Sequence, residues 1–242
     1  MELSSKIAFS IVSHGQGDLV RLLLNDLDAL QDKNFEVIIT LNLPEKEDFL
    51  LGYNFEIIVL RNLLPKGFGA NHNAAFLKSS CEWFAVVNPD VRIKELNLQV
   101  LLSPFKELKV KAVAPLIFSS RGLLEDSARR FPTIFRLVKR IFLRMQNVDY
   151  SVGEEPYQVD WVAGMFVVFR HEMYEELGGF DDLRFYMYLE DADICRRIAL
   201  KHGKVVVNPK TEVIHDARRK SHKDLTHLRW HLVSAVRYLI GL

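Results

Sequence analysis

The sequence predicts an α/β fold with a mostly parallel central sheet and helices on both faces. Three observations carry that expectation. Short β-rich runs alternate with segments of helical periodicity. The run "WFAVV" has the β-formers of a strand lying inside a sheet, and it stops abruptly at Asn88-Pro89-Asp90. No linker rich in Gly, Ser or Pro divides the chain, so all 242 residues read as one domain, without internal repeats.

In order, "KIAFSIVS" reads as strand, "DLVRLLLNDLDAL" as helix, "FEVIITL" and "FEIIVL" as strands, "GFGANHNAAFLKSS" as helix and "WFAVVN" as strand. In such a sheet the ligand sits beyond the C-terminal strand ends, where "SHGQGD", "LNLPE", "RNLLPKGFGANHN" and "NPDV" converge. The second half follows with "VAPLIFSS", "RRFPTIFRLVKRIFLR", a strand-like "VDWVAGMFVVFR", the helix "HEMYEEL", the turn "GGFDD", an acidic "YLEDADICRRIALKHG", two short strands "KVVVNP" and "TEVIHD", and a final helix from about Lys223. Residues 1–93 are expected to form the half that carries the ligand crevice, 94–221 the half that completes the sheet and builds an acceptor side, and 222–242 an amphipathic helix.

Composition narrows the function. Apolar residues make up 49%, charged residues 26% and aromatics 11%, which is globular throughout. A net charge of +1 gives no global attraction for nucleic acid, and none is expected as a partner. Cys81 and Cys195 are too few for a metal cluster or disulfide framework and read as small buried residues of a cytoplasmic protein. The N-terminus lacks a signal-peptide pattern and no apolar run is long enough to span a membrane, so attachment is expected to be peripheral at most.

Each chemistry-bearing motif also has a plain structural reading. Asn-Pro-Asp is turn chemistry, yet it places Asp90 at a strand end. "KGFGANHNA" opens a helix near a ligand-facing loop, without the spacing of a P-loop or of the dinucleotide fingerprint, which disfavours a nicotinamide dehydrogenase. Glu190, Asp191 and Asp193 complement a helix N-terminus, but the aromatic loop "GGFDDLRFYMY" before them makes a pocket wall of the segment. His215 ends the strand "TEVIH" and is eligible to reach the same crevice as Asp90. Asp, His and a diphosphate together suit Mn2+ or Mg2+.

The passages "IAFSIVSHGQGDLVRLLLNDL", "NLLPKGFGANHNAAF", "WFAVVNPDV", "SARRFPT", "VDWVAGMFVVFRHEMYEELGGFDDLRFYMYLEDADICRRI" and "VIHDARRKS", in that order, resemble the family 2 inverting glycosyltransferases with the GT-A fold, and within them the bacterial rhamnosyltransferase-like branch. The resemblance runs from about Ile7 to Ser221. It implies a nucleotide-diphosphate sugar donor and a glycan or lipid-linked acceptor. It implies Asp90 as a metal-contacting carboxylate in the variant Asn88-Pro89-Asp90, His215 as a further metal ligand, Asp191 as catalytic base and Glu190 as its neighbour. Ser13, His14, Gly15, Asn42, Lys66, Gly67, Gly69 and Asn73 fall where members contact nucleotide or sugar, and Trp161, Gly164 and Arg130 on the acceptor side. The sequence departs from the pattern at "SHGQ", where many members end in Asn-Tyr-Asn, and at Asn42, where an acid is common.

Arg129, Arg130, Arg136, Lys139, Arg140 and Arg144 form an acid-free stretch in which Ile134, Leu137, Val138, Ile141, Phe142 and Met145 recur at helical spacing. Such a helix over 132–145 can lie on an anionic membrane or pack on its own core. Leu225, Leu228, Leu232, Val236 and Leu239 make a second stripe within 223–240 that can seal the core, form a homodimer or touch a membrane. The competing readings are a non-catalytic nucleotide-sugar-binding or membrane-docking partner subunit with the same fold, and a nucleotidyltransferase, for which the Gly-rich, basic N-terminal loop is missing.

Overall fold

The computed structural model describes residues 4–136, 149–216 and 225–241. In chain order the strands are β1 (Ser4–Ser13), β2 (Phe35–Leu41), β3 (Ile57–Arg61), β4 (Cys81–Val87), β5 (Val91–Arg92), β6 (Val110–Ser119), β7 (Ala128–Arg129), β8 (Tyr157–Val159), β9 (Trp161–Val162), β10 (Phe166–Arg170) and β11 (Lys204–His215). The helices are α1 (Gly17–Ala29), α2 (Phe68–Phe76), α3 (Leu98–Leu102), α4 (His171–Glu176), α5 (Glu190–Leu200) and α6 (Leu225–Ile240).

β3, β2, β1 and β4 lie side by side and parallel. β10 then reverses direction between β4 and β6, β11 runs parallel to β6, and β5 closes the row antiparallel to β11, with β8 also pairing β11. The sheet is therefore mixed but mostly parallel, and it passes without a break from the first half of the chain into the second.

Alternate side chains of β1 explain the two layers. Ile7, Phe9 and Ile11 face a core completed by α1, whose Val20, Leu23, Leu24 and Leu27 are buried on one helical stripe. Burying each of these aliphatic side chains contributes about 1.5–3 kcal/mol. Ala8 faces the opposite core, where Ala75, Phe84, Tyr174, Phe180, Ile194 and Ile198 join α2, α4 and α5 to the sheet.

Two expectations are corrected by the strands. "VDWVAGMFVVFR" is not one strand: β8, β9 and β10 are separate, and the chain leaves regular pairing at Ala163-Gly164-Met165. "KVVVNP" and "TEVIHD" are one twelve-residue strand, whose register shifts between Asn208 and Glu212. Pro209, lacking an N–H, is accommodated at that irregularity.

Leu137, Val138, Lys139, Arg140, Ile141, Phe142, Arg144 and Met145 of the basic segment lie outside the described residues, as do 217–221. Ile134 and Phe135 are 66% and 77% exposed. Of the stripe expected on the last helix, Leu232 and Val236 are 53% and 55% exposed, while among the described side chains of α6 Ser234 and Tyr238 are buried.

Candidate active site

Strand register assembles the first cluster. After β4, Asn88-Pro89-Asp90-Val91 forms a turn closed by Val91 N–H donating to Asn88 C=O at 3.2 Å. Val91 then lies opposite His215 in the β5–β11 ladder, and Asp216 N–H donates to Asp90 C=O at 2.9 Å. Arg92 forks onto Asp26 of α1 at 2.7 and 2.8 Å, and Ile93 N–H donates to the same carboxylate at 2.9 Å, anchoring the residues just past the turn. Asp90 Oδ1 consequently comes within 3.4 Å of His215 Nε2.

The other nitrogen of His215, Nδ1, is 3.0 Å from Glu125 Oε2. Facing a carboxylate, Nδ1 carries the proton and donates it, so the neutral ring turns the lone pair of Nε2 toward Asp90. Asp90 Oδ1 is buried without a hydrogen-bond partner, because its approach to Nε2 has ion-pair distance but not hydrogen-bond alignment. Burial works against a charge on His215, but Asp90 and Glu125 outweigh it and raise its pKa above the ordinary 6.5.

An orphaned carboxylate oxygen facing an imidazole nitrogen, itself oriented by a second carboxylate, fits a divalent cation. Among the described residues no group of three or more His, Cys, Asp or Glu side chains forms a complete metal site. Two protein donors leave the rest of a coordination shell to water or substrate oxygens.

The second cluster lies at the start of α5. Tyr188 and Leu189 precede it with φ of 75° and 66°, two consecutive non-glycine residues in the left-handed region at a cost of about 1–2 kcal/mol each. Asp191 Oδ2 accepts from Gly164 N–H at 3.0 Å and Oδ1 from Ala192 N–H at 2.8 Å. Burial raises its pKa above the ordinary 3.8, opposed by those two amides and by the charge of Arg129. Glu190 is buried with Oε2 unpartnered, and burial, then the charge of Asp191, holds its carboxyl well above the usual range. Glu190 is thus biased toward its protonated form beside Asp191.

Gly164 stands where the predicted strand breaks. A Cβ there would meet the Phe68 ring at 3.0 Å, so only glycine brings this amide to Asp191. One residue on, Met165 C=O accepts from Asn88 N–H at 2.9 Å. That hydrogen bond links the turn carrying Asp90 to the segment supporting Asp191.

Three acceptor-side expectations change. Trp161 is buried and its Nε1–H donates to Arg130 C=O at 2.9 Å, so it braces β7 against β9 instead of lining a path for acceptor. Gly164 serves the base through its amide. Arg130 is exposed, with its guanidinium 5.6 Å from the Tyr150 ring. Arg129, whose guanidinium lies 5.2 Å over Trp161 and whose charge reaches Asp191, is the nearer cation.

The predicted donor residues divide into two groups. Asn42 uses its whole amide within the protein: Nδ2 donates to Lys66 C=O and contacts His14 Nδ1, each at 2.9 Å, while Oδ1 accepts from Lys66 N–H and Asn62 Nδ2, each at 2.8 Å. Asn62 also donates to Asn71 Oδ1 at 2.6 Å, so three asparagines knit the β1, β2 and β3 loops together. Ser13 is buried, and its hydroxyl accepts from Gln16 N–H at 3.1 Å. His14 and Lys66 are exposed at the rim, and Gly15 adopts φ 70°.

Gly67, Gly69 and Asn73 face the protein. A Cβ on Gly67 would come within 2.3 Å of Tyr186 C=O, and one on Gly69 within 2.7 Å of Phe180. Asn73 accepts from Phe180 N–H and Tyr174 OH at 2.9 and 2.8 Å and donates to Phe180 C=O at 2.8 Å. These residues hold the aromatic loop before Asp191, which corrects their placement as direct ligand contacts.

A hollow of about 590 Å³ opens beside Asp90, between the loops after β1 and β2, with Gln16, Arg21, Glu45 and Lys46 in its wall. A second, more apolar hollow of about 360 Å³ lies at the opposite strand ends, around Trp83, Leu98 and Arg170. The first is where a parallel sheet presents ligands.

No family model matches the chain. Rhamnosyltransferase WbbL of Escherichia coli (strain K12) is 28% identical over 95% of this chain and 90% of its own length. An N-acetylglucosaminyl-diphospho-decaprenol L-rhamnosyltransferase of Mycobacterium tuberculosis is 28% identical over 65% of this chain, which spans 55% of that relative. The crystal structure of GalNAc-T7 with UDP, GalNAc and Mn2+ superimposes with a TM-score of 0.71 at 18% identity, over 96% of this chain and 47% of that one, a likeness of fold. The chain is a rhamnosyltransferase-like glycosyltransferase with the GT-A fold.

Proposed function

We propose that this glycosyltransferase moves a rhamnosyl group, with inversion, from a nucleotide diphosphate to a glycan or lipid-linked acceptor in bacterial surface polysaccharide synthesis. The observation that carries the reading is the pair of unlike carboxylate centres, Asp90 with His215 and Asp191 with Glu190, joined through Asn88 and Met165. The relatives' names supply the sugar, and the mycobacterial name supplies a lipid diphosphate as the type of acceptor.

In the proposed mechanism, Asp191 takes the proton of the acceptor hydroxyl as that oxygen bonds to the anomeric carbon, while the bond from this carbon to the nucleotide diphosphate breaks on the opposite face. A carboxylate raised above the ordinary range and steadied by two backbone amides suits the base. Glu190, held neutral beside it, keeps a second negative charge out of the same pocket. Asp90 and His215 would hold Mn2+ or Mg2+, which when bound supplies positive charge to the departing diphosphate. Glu125 orients His215 for that role. His14 and Lys66, both exposed, would contact the donor.

Peripheral contact with the inner face of the cytoplasmic membrane belongs to the same proposal. It is supported by the exposed Ile134 and Phe135 beside the basic segment and by an α6 that carries Arg229 and Arg237 but no acid.

Isothermal titration of nucleoside diphosphates with and without Mn2+ tests the reading. Binding is expected to strengthen with Mn2+ in the parent and to lose that dependence in Asp90→Ala. Metal-independent binding, equal in both proteins, would overturn it. Donor binding without transfer across an acceptor panel would favour the non-catalytic partner subunit instead.

A further inference from the structure

We infer that α6 is a positioning element for the base, with His227 and Tyr188 as its positioning residues. The inference rests on Asp191 being that base. One face of α6 contacts Arg184, Tyr186, Met187 and Tyr188 of the loop that leads into α5. Arg184 and Arg237 each donate to the other's backbone carbonyl, at 3.1 and 2.5 Å. The rings of Tyr186 and Trp230 lie 4.9 Å apart, and Ser234 Oγ donates to Met187 C=O at 2.8 Å. Tyr188 meets two histidines, with its hydroxyl 2.7 Å from His227 Nδ1 and its ring 5.0 Å from that of His231. Positions 227, 230, 231, 234 and 237 fall on one side of a helix, so the grip is a continuous surface.

That surface meets the loop where the backbone is strained. The left-handed pair Tyr188-Leu189 persists only if its surroundings over-determine it. A glycine would adopt this conformation without help, but neither residue is glycine, and the fastening of the Tyr188 ring from both edges supplies the constraint. Glu190 and Asp191 follow directly, with Asp193 N–H already donating to Leu189 C=O at 2.9 Å. Relaxing Tyr188 toward negative φ would turn the first turn of α5 and draw the Asp191 carboxylate off the Gly164 amide, 3.0 Å away. α6 comes last in the sequence, yet it fixes the direction in which the proton acceptor points.

His227→Ala, Tyr188→Phe, their double variant and His227→Asn, made in the full chain, test the inference by steady-state transfer and by hydrogen exchange. Each of the first two is expected to lower kcat roughly tenfold to a hundredfold, with donor KM nearly unchanged. The double variant should lose no more than the worse single, since both break one contact. His227→Asn, which can still bond the Tyr188 hydroxyl, should recover most of kcat. The amides of 184–191 and of Gly164 should exchange faster in His227→Ala than in the parent. Unchanged kcat, a loss seen wholly in donor KM, multiplying losses in the double variant, or unaltered protection of Gly164 would each overturn it. If the parent transfers no sugar, the transferase reading fails, and the Gly164 amide alone decides whether α6 fixes Asp191.

Discussion

The two acidic centres are built in opposite ways. Asp90 stands on a turn, faces a histidine carrying a raised pKa, and keeps one oxygen unpartnered. Asp191 stands at a helix start behind two strained residues, is steadied by neutral amides, and has an uncharged acid as its neighbour. The first environment leaves a carboxylate oxygen open beside an imidazole nitrogen and invites a cation. The second penalises negative charge and so favours taking up a proton. Identical side chains suit the proposed ligand in one place and the proposed base in the other because the sheet register sets His215 against Asp90, whereas Asp191 meets two backbone amides and the charge of Arg129.

Substitutions that remove the difference have graded effects. Asp191→Asn keeps the size of the side chain but can accept from only one of the two amides and cannot take up a proton. Transfer should fall by about 10²–10⁴-fold while nucleoside diphosphate binding by titration stays at the parent's level. Retained turnover would remove Asp191 from its role. Glu125→Gln leaves Asp90 and His215 in place but weakens the carboxylate that orients the imidazole. A loss of about 10–100-fold in Mn2+ affinity is expected, measured by metal titration in the presence of nucleoside diphosphate. Equal affinity in both proteins would confine Glu125 to a packing role.

The smallest effect concerns stability. Because Glu190 has a folded-state pKa above its ordinary 4.5, the folded protein holds its proton more tightly than the unfolded chain does. Stability from this group is present at acid pH and is lost as pH rises above about 4.5. Glu190→Gln escapes that loss. Its Tm relative to the parent should climb between pH 4 and pH 7, by a few degrees in scanning calorimetry. A pH-independent difference would mean that Glu190 ionises as freely folded as unfolded.

The parallel first half was legible because strands buried on both faces read as short, β-rich and mainly apolar runs, and β1 from Ile7, β2 and β4 do so with only isolated polar residues such as Ser10, Thr40 and Glu82. Asp90 and His215 could be named from their places at strand ends, but their meeting could not, since β5 has two residues and no periodicity to announce its pairing with β11. The Asp26–Arg92 anchor and Glu125 left no pattern because each joins residues far apart in sequence, at |i−j| of 66 and 90. Asn42 was expected as a ligand contact because the family resemblance puts it where members meet nucleotide or sugar. Its four hydrogen bonds are visible only once three loops are folded together. In α6 the apolar stripe was the legible feature, and its Leu232 and Val236 point outward, whereas the contacts of His227, Trp230 and Ser234 with the loop before α5 have no periodicity to announce them.

Gly67 ties specificity on one side of the crevice to architecture on the other. The aromatic loop sits against its backbone, Tyr186 C=O accepting from Phe68 N–H at 3.0 Å where any side chain at 67 would intrude. Recombination between related enzymes therefore cannot treat residues 178–189 as an exchangeable cassette. A loop taken from a relative with another acceptor will seat only if its backbone follows the same path over Gly67, Gly69 and Asn73. Sequence change in this loop is accordingly channelled into its outward-pointing side chains, with its course held constant.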